Sequence, residues 1–199
     1  MTKKEFKPEL IEYVGPSGSG KTYRTKNHIK NLKKKDKKVI TGYIYQENKL
    51  LFYMHIIQLP FFILKNISYF NYIWSLFKKE TKFFIKFKNS IRISFIYFKL
   101  KKLSKRNFDY IILDHALIHE ISVLTGKKLI NTKNLSKSKL LREIEGKYNL
   151  KFIEENPETI AKRRLKRQAK RDKNKTEKEL IQKAKKANNR LGTIKKIFE

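Results

Sequence analysis

The feature that most constrains the fold of this chain is an eight-residue glycine-rich segment at positions 15–22, which fits the pattern G-x-x-x-x-G-K-[ST]. Backbone N–H groups can converge on a compact polyanion such as phosphate only where side chains do not block the approach, and glycines allow this. The pattern predicts a P-loop in which Lys21 reaches the β- and γ-phosphates of a nucleoside triphosphate and Thr22 holds Mg²⁺. The predicted nucleotide-binding residues are Gly15, Pro16, Ser17, Gly18, Ser19, Gly20, Lys21, Thr22 and Tyr23.

Short apolar segments alternate with helical stretches along the chain. The segments predicted as strands are 11–14, 39–45, 109–114 and 151–154. Strands that alternate with helices favour a parallel sheet covered on both faces. We therefore predict one three-layer α/β domain of the P-loop NTPase class over residues 1–199, with a parallel sheet. The first strand leads directly into the glycine-rich segment and a helix follows it, which is the context that a P-loop requires.

Asp114 ends the third predicted strand, where a carboxylate can bind or orient the Mg²⁺ shell beside Thr22. The alternative is that Asp114 caps the following helix. The next residue is His115 rather than the glutamate that activates water in many ATP-driven motors, which favours transfer to a bound acceptor over hydrolysis. His115 and His119 are four residues apart but have no third ligand at zinc-binding spacing, so no zinc site is predicted.

The middle of the chain, residues 49–106, predicts a helical insertion rich in aromatic residues. Fifteen of the 25 aromatic residues lie between Leu51 and Leu100. Polar residues and Pro60 interrupt the apolar run, so helices that pack on one another are favoured over a bilayer span. From Phe83 to Phe98, apolar residues recur at helical spacing with lysines and Arg92 between them. Such a helix either faces the core or lies on an anionic partner or membrane surface.

The chain carries 49 Lys and Arg against 18 Asp and Glu, for a formal charge of +31. This excess indicates either a polyanionic partner, such as nucleic acid or an anionic membrane, or a genome with a biased composition. The absence of cysteine excludes a disulfide partner and thiolate metal ligands. The charged segment 1–7 does not fit a secretory signal, so a cytoplasmic location is expected, with the inner membrane face as an alternative.

An arginine-rich segment follows the fourth predicted strand and carries a family resemblance. Pro157 and Glu158 are followed by spaced arginines at Arg163, Arg167 and Arg171. Together with the P-loop, this resembles the thymidylate kinase-like branch of the nucleoside and nucleotide kinases, over about residues 10–45 and 108–172. The resemblance implies a kinase-like fold in which an Arg-bearing lid, residues 157–175, closes over ATP.

Guanidinium groups in such a lid stabilise the charge on the transferring phosphoryl group. The resemblance also places an acid near the end of the second strand to accept the proton of the acceptor hydroxyl. Glu47 is the candidate for that base, and Glu120 is a second one. The aromatic insertion is similar to that of uncharacterised P-loop proteins of bacterial surface-polysaccharide loci.

The expected function is therefore ATP- and Mg²⁺-dependent phosphoryl transfer, with Lys21, Asp114, the three arginines and Glu47 as candidate catalytic residues. The acceptor is a small molecule or a lipid-linked compound that the sequence does not name. The alternative is a nucleotide-dependent regulatory or binding protein that contacts nucleic acid or an anionic membrane. In the tail, Thr176 and Glu179 form a predicted capping box for a last helix. Gly192 is a predicted stop for that helix, and residues 193–198 are either a last short strand or more helix.

Overall fold

The computed structural model describes residues 7–41, 49–142, 144, 147–167, 172 and 174–199. Four parallel strands form one sheet in the order β2-β3-β1-β4. The strands are β1 (Glu9–Val14), β2 (Val39–Thr41), β3 (Tyr110–Leu113) and β4 (Lys147–Phe152). The helices are α1 (Lys21–Lys33), α2 (Lys49–Lys65), α3 (Ile67–Leu76), α4 (Phe83–Ser104), α5 (Leu117–Gly126), α6 (Lys137–Leu141), α7 (Pro157–Arg167) and α8 (Glu177–Phe198).

The central strand β1 divides the core into two parts because successive side chains of a strand point to opposite faces. Leu10 and Val14 belong to the larger cluster, which they share with buried residues of α3, α4, α5 and α8. Ile11 and Tyr13 belong to the smaller cluster, which Leu32 of α1 covers. The sheet is therefore packed between two helical layers, and the predicted three-layer parallel α/β fold is confirmed.

The bounds of the fourth strand and of the last helix differ from those predicted. The fourth strand begins at Lys147 and ends at Phe152, not at 151–154, because its whole length pairs with β1 from Glu9 to Val14. The last helix does not end at Gly192 but continues to Phe198. Tertiary packing overrides the weak helix propensity of that glycine, since Leu191, Ile194 and Phe198 are all buried in the larger core.

The structure also describes the start of the last helix and the middle of the chain. The capping box between Thr176 and Glu179 is present at the start of α8. Three helices, α2 to α4, lie between β2 and β3. Helix α4 was predicted either to face the core or to lie on an anionic partner or membrane surface. Neither holds along its whole length, because Phe83 and Phe84 are exposed whereas residues 93–100 are buried on all sides.

Within the part of the chain that the structure describes, every helix is too short or too polar to cross a lipid bilayer.

Candidate functional site

The glycine-rich segment forms a tight turn between β1 and α1. Gly18 and Gly20 have φ angles of 97° and 87°, in the left-handed region that favours glycine. Gly20 is the residue immediately before α1, which begins at Lys21. A helix that starts directly after such a turn presents its positive end and its unpaired N–H groups to an anion. The segment therefore has the backbone conformation that the P-loop pattern predicts.

Lys21 is buried at the base of this turn, although its side chain carries a charge. Its ammonium group donates to Gly15 O at 2.6 Å and to Pro16 O at 2.9 Å. A buried ammonium is costly unless its N–H groups have partners, and these carbonyls are such partners. Phosphate oxygens are stronger acceptors because they are charged, so the same ammonium is well placed to bind a phosphate in the cleft above.

Thr22 and Asp114 meet at the edge of the sheet. Thr22 Oγ1 lies 3.4 Å from Asp114 Oδ2. Strands β1 and β3 are parallel neighbours with Glu12 opposite Leu113, so their carboxyl ends coincide and bring the P-loop beside Asp114. A hydroxyl and a carboxylate are both hard oxygen ligands of the kind that Mg²⁺ prefers. The donor set therefore fits a magnesium ion held between these two side chains.

Ser19 supplies a second sign that this turn is built for a ligand. Its Oγ is buried and has no hydrogen-bond partner among the described residues. Buried polar atoms in native proteins are normally satisfied, so an unsatisfied one inside a glycine-rich turn indicates an absent ligand or water. Tyr23, in contrast, is 71 % exposed and is not among the described residues that line the cleft.

Glu12, a residue that the sequence analysis did not single out, ties the two halves of the site together. It is fully buried in β1 and accepts hydrogen bonds from the backbone N–H groups of Ala116, Ile118 and His119 and from the Tyr148 hydroxyl. Burial raises the pKa of this carboxyl above its usual range, while these four donors oppose the increase. The only sequence signal was an acid inside an otherwise apolar strand.

Helix α7 packs directly against the P-loop. A side chain at Gly18 would meet Ile160 O and Arg164 Cγ, both at 3.2 Å. Arg163 donates to Gly18 O at 3.4 Å and to Glu155 at 2.9 Å. The structure therefore places the arginine-rich helix α7 against the glycine-rich turn.

The arginines of α7 differ in their surroundings. Arg164, which was not predicted as a site residue, forms two hydrogen bonds with buried Asp172. Arg164 and Arg167 both line the cleft above the P-loop, and Arg163 lies at its edge beside Gly18. Arg171 lies outside the described residues.

The cleft above the P-loop has a volume of about 970 Å³. Its walls come from the P-loop, α5, α7 and α8. No acidic side chain is present among its described lining residues, whereas seven lining residues are basic. These are Lys21, Lys128, Arg164, Arg167, Lys183, Lys186 and Arg190. Such a concentration of positive charge fits a polyanion of the size of a nucleoside triphosphate.

The contribution of α8 to this cleft was not predicted, although its spacing could have revealed it. Lys183, Lys186 and Arg190 recur at intervals of three and four residues, which places them on one helix face. Burial lowers the pKa of the Arg190 guanidinium. Arg190 packs so closely over Gly126 that a side chain at that position would overlap its guanidinium group.

His115 and His119 both line the cleft and contact each other edge to face, with ring centroids 4.2 Å apart. Burial, and then the positive charges of the neighbouring His115 and Lys21, lower the pKa of His119 to about 3. The described residues contain no group of three or more His, Cys, Asp or Glu side chains that could together hold a metal ion. His119 is a neutral imidazole at neutral pH.

Of the two candidate bases, Glu47 and Glu120, the structure describes only Glu120. Glu47 lies outside the described residues. Glu120 is buried on α5 and pairs with Arg92 of α4 at 2.7 Å, and it does not line the cleft. Burial raises the pKa of its carboxyl, and Arg92 opposes this increase. Its role in the structure is to connect the inserted helices to α5.

Comparison with known proteins gives a likeness of fold to solved structures. No protein-family model and no curated protein sequence matches the chain. A solved structure of deoxyadenosine kinase from M. mycoides, with the products dCMP and a flexible dCDP bound, is similar at 14% identity. The likeness covers 90% of this chain and 82% of that chain, with a TM-score of 0.42.

The class of protein is defined by the sheet and the turn themselves. A parallel sheet between two helical layers, with a glycine-rich turn from its central strand into a helix, is the three-layer α/β fold of P-loop proteins. The fold does not determine what such a protein does, and the function has to be argued from the site.

Proposed function

We infer that this protein is a P-loop kinase, which binds ATP with Mg²⁺ and transfers the terminal phosphoryl group to an acceptor hydroxyl. The observation that carries this proposal is the position of Lys21 and Thr22 at the base of a basic cleft, with the Asp114 carboxylate 3.4 Å from the Thr22 hydroxyl. The acceptor is a small molecule or a lipid-linked compound.

Binding of the triphosphate rests on the P-loop. The ammonium group of Lys21 exchanges the Gly15 and Pro16 carbonyls for oxygens of the β- and γ-phosphates. The left-handed backbone at Gly18 and Gly20 leaves room for phosphate to approach the N–H groups of the turn.

Thr22 and Asp114 would hold the magnesium ion, with one hydroxyl and one carboxylate as oxygen ligands. When bound, the ion neutralises charge on the β- and γ-phosphate oxygens.

The transfer forms a bond between the acceptor oxygen and the γ-phosphorus and breaks the bond from that phosphorus to the bridging oxygen, so that ADP leaves. Arg163 and Arg167 of α7, with Arg171 beyond it, form the lid whose positive charge stabilises the transferring group. His115 follows Asp114, so no glutamate stands at the position from which water is activated in ATP-driven motors. This favours a bound acceptor over water.

Glu47 is the proposed base that accepts the proton of the acceptor hydroxyl. Strand β2 is parallel to β3, and Thr41 is opposite Ile112, two residues before Asp114. The carboxyl end of β2 therefore lies at the same end of the sheet as the P-loop and Asp114.

The proposal is tested by incubating the protein with Mg²⁺ and γ-labelled ATP against nucleosides, nucleotides, sugars and lipid-linked glycans. Label should move to one class of acceptor, and Lys21→Ala should abolish this transfer. Lys26→Ala is a matched control because Lys26 is exposed on the same helix, and it should keep full activity. Normal transfer by Lys21→Ala, or no heat when Mg·ATP is titrated into the wild-type protein, would contradict the proposal.

A further inference from the structure

The beginning of helix α4 exposes three phenylalanines at the surface. The exposed fractions of Phe83, Phe84 and Phe87 are 70%, 72% and 42%. These rings lie near the start of a helix whose residues 93–100 are buried in the core. Large apolar side chains that are grouped at a surface usually mark a site of interaction.

The exposed rings are held in fixed positions by their neighbours. Trp74 of α3 contacts Phe83 edge to face, with centroids 5.5 Å apart. Phe83 and Phe87 lie nearly parallel, with centroids 5.9 Å apart and an interplanar angle of 8°. Lys86 Nζ lies 4.6 Å from the centre of the Trp74 ring. The group is therefore an ordered platform, not a set of unrelated exposed residues.

The platform is surrounded by positive charge. Lys82 and Lys88 are exposed on either side of the phenylalanines, and Lys86 lies between them. In the sequence from residue 49 to residue 106 there are thirteen Lys and Arg residues and one acid, Glu80. A partner for this surface must therefore be both anionic and able to take up apolar side chains. We call Phe83, Phe84, Phe87, Lys82, Lys86 and Lys88 the aromatic-basic surface.

We propose that the aromatic-basic surface docks on the anionic face of a lipid bilayer, with the phenylalanines in the acyl boundary and the lysines at the headgroups. Interfacial segments combine bulky apolar side chains with Lys in this way and lie on the membrane without crossing it. This agrees with the described helices, none of which is suited to span a bilayer.

A second exposed set in the same insertion favours lipid over nucleic acid. Ile57, Phe61 and Leu64 recur on one face of α2 and are each exposed by 68% or more. Two of these three side chains are aliphatic. Single-stranded nucleic acid is bound by stacking of bases on flat rings, which aliphatic side chains cannot provide. Acyl chains accept aliphatic and aromatic side chains equally.

Arg92 does not belong to this surface, although it lies on the same helix. It is engaged with Glu120 of α5 at 2.7 Å, and its removal would disturb the contact between the insertion and α5. Variants that test docking should therefore leave Arg92 unchanged.

The test uses the only tryptophan in the chain, Trp74, as a probe inside the platform. The full-length protein is titrated with phosphatidylcholine vesicles that contain one third phosphatidylglycerol, and with vesicles of phosphatidylcholine alone. We expect a blue shift of the Trp74 emission and co-flotation with the anionic vesicles, and much weaker effects with neutral ones. Flotation does not depend on ATP, so its outcome is separate from that of the kinase proposal.

Two variants separate the contributions of charge and apolar contact. The triple variant K82Q/K86Q/K88Q should lower the partition coefficient by about 100-fold, since each lysine near an anionic surface contributes about fivefold. The variant F83S/F84S/F87S should lose partitioning as well. The control K26Q/K30Q/K33Q removes three lysines from α1 and should change partitioning far less. Circular dichroism and the thermal transition confirm that each variant is folded.

A third variant separates lipid from nucleic acid as the ligand. F83L/F84L/F87L retains apolar side chains without rings, so vesicle binding should remain close to that of the wild type. Binding of single-stranded RNA through these positions would be lost. The proposal is overturned if anionic vesicles do not bind, if the α1 control loses as much as the α4 lysine variant, or if the Trp74 signal follows RNA or protein self-association rather than vesicles.

Discussion

Arg164 and Asp172 form a buried, two-pronged ion pair, with Nη2–Oδ1 at 2.7 Å and Nε–Oδ2 at 3.0 Å. Only 13% and 3% of their side chains are exposed. Arg164 also lies against Gly18, so the pair fixes the arginine-rich helix close to the phosphate-binding turn. This arginine has a structural partner, whereas the neighbouring Arg163 is paired near the surface with Glu155.

Removal of Asp172 should therefore be costly. Asp172→Asn leaves the Arg164 charge buried without a carboxylate, and we expect the free energy of unfolding to decrease by about 3–5 kcal/mol. Urea unfolding followed by circular dichroism measures this change. Glu155→Gln breaks the more exposed pair on the same helix and should cost less than about 1 kcal/mol. Equal losses in the two variants would show that burial does not distinguish the pairs.

Gly18 and Gly192 should respond in opposite directions to replacement by alanine. At Gly18 the left-handed φ of 97° and the close contacts with Ile160 and Arg164 should make Gly18→Ala lose about 1–2 kcal/mol, together with affinity for Mg·ATP. Gly192 lies inside α8 with open space around it, so Gly192→Ala should gain about 0.5–1 kcal/mol. Thermal unfolding and calorimetry measure both effects, and a stabilised Gly18→Ala protein would contradict the described turn.

His119 should make the protein less stable in acid. The unfolded chain binds a proton on this side chain near pH 6.5, whereas burial and nearby positive charge lower the pKa in the folded protein to about 3. The stability contribution is thus complete above pH 6.5 and decreases as the pH falls toward 3, by at most about 1.4 kcal/mol per pH unit.

His119→Gln should remove this part of the pH dependence. The comparison is the difference in free energy of unfolding between wild type and variant, measured from pH 4 to pH 7. His28 has a pKa that burial also lowers, but it is less enclosed, so His28→Gln should change the slope less. A difference between wild type and His119→Gln that does not vary with pH would mean that His119 is not held neutral.

Glu12 should be the most sensitive acid of the central strand. Glu12→Ala leaves three backbone N–H groups and the Tyr148 hydroxyl without their acceptor, and we expect a loss of about 3–5 kcal/mol. Glu9 lies on the same strand and its carboxylate accepts a hydrogen bond from Asn149, so Glu9→Ala should cost about 1 kcal/mol. Chemical denaturation measures both, and similar losses would argue against a special role for Glu12.

The sequence predicted the parts of the fold that depend on local chemistry. The P-loop turn needs glycine in the left-handed region, and the capping box of α8 needs Thr176 and Glu179 three residues apart, so both could be found from residue spacing. The ends of β4 and α8 could not, because they are set by pairing with β1 and by burial of Phe198 in the core. Long-range packing of this kind leaves little trace in a local pattern.

The same distinction applies to the candidate site. Lys21, Thr22 and Asp114 were identified because a known motif requires them, and the structure brings them together. The basic face of α8 and the buried Glu12 were missed because their significance depends on which helix covers the cleft and which loop follows β3. The candidates Glu47 and Arg171 remain predictions.

The hydrogen bonds of Glu12 have a consequence for how this protein can change. One carboxylate, three positions before the P-loop, holds the chain two positions after Asp114. Glu12 thereby connects the glycine-rich turn to the segment that follows Asp114. Neither segment can shift alone without breaking hydrogen bonds to this buried carboxyl. We therefore expect that replacing either segment with that of another protein would succeed only if both segments and strand β1, which carries Glu12, were exchanged together.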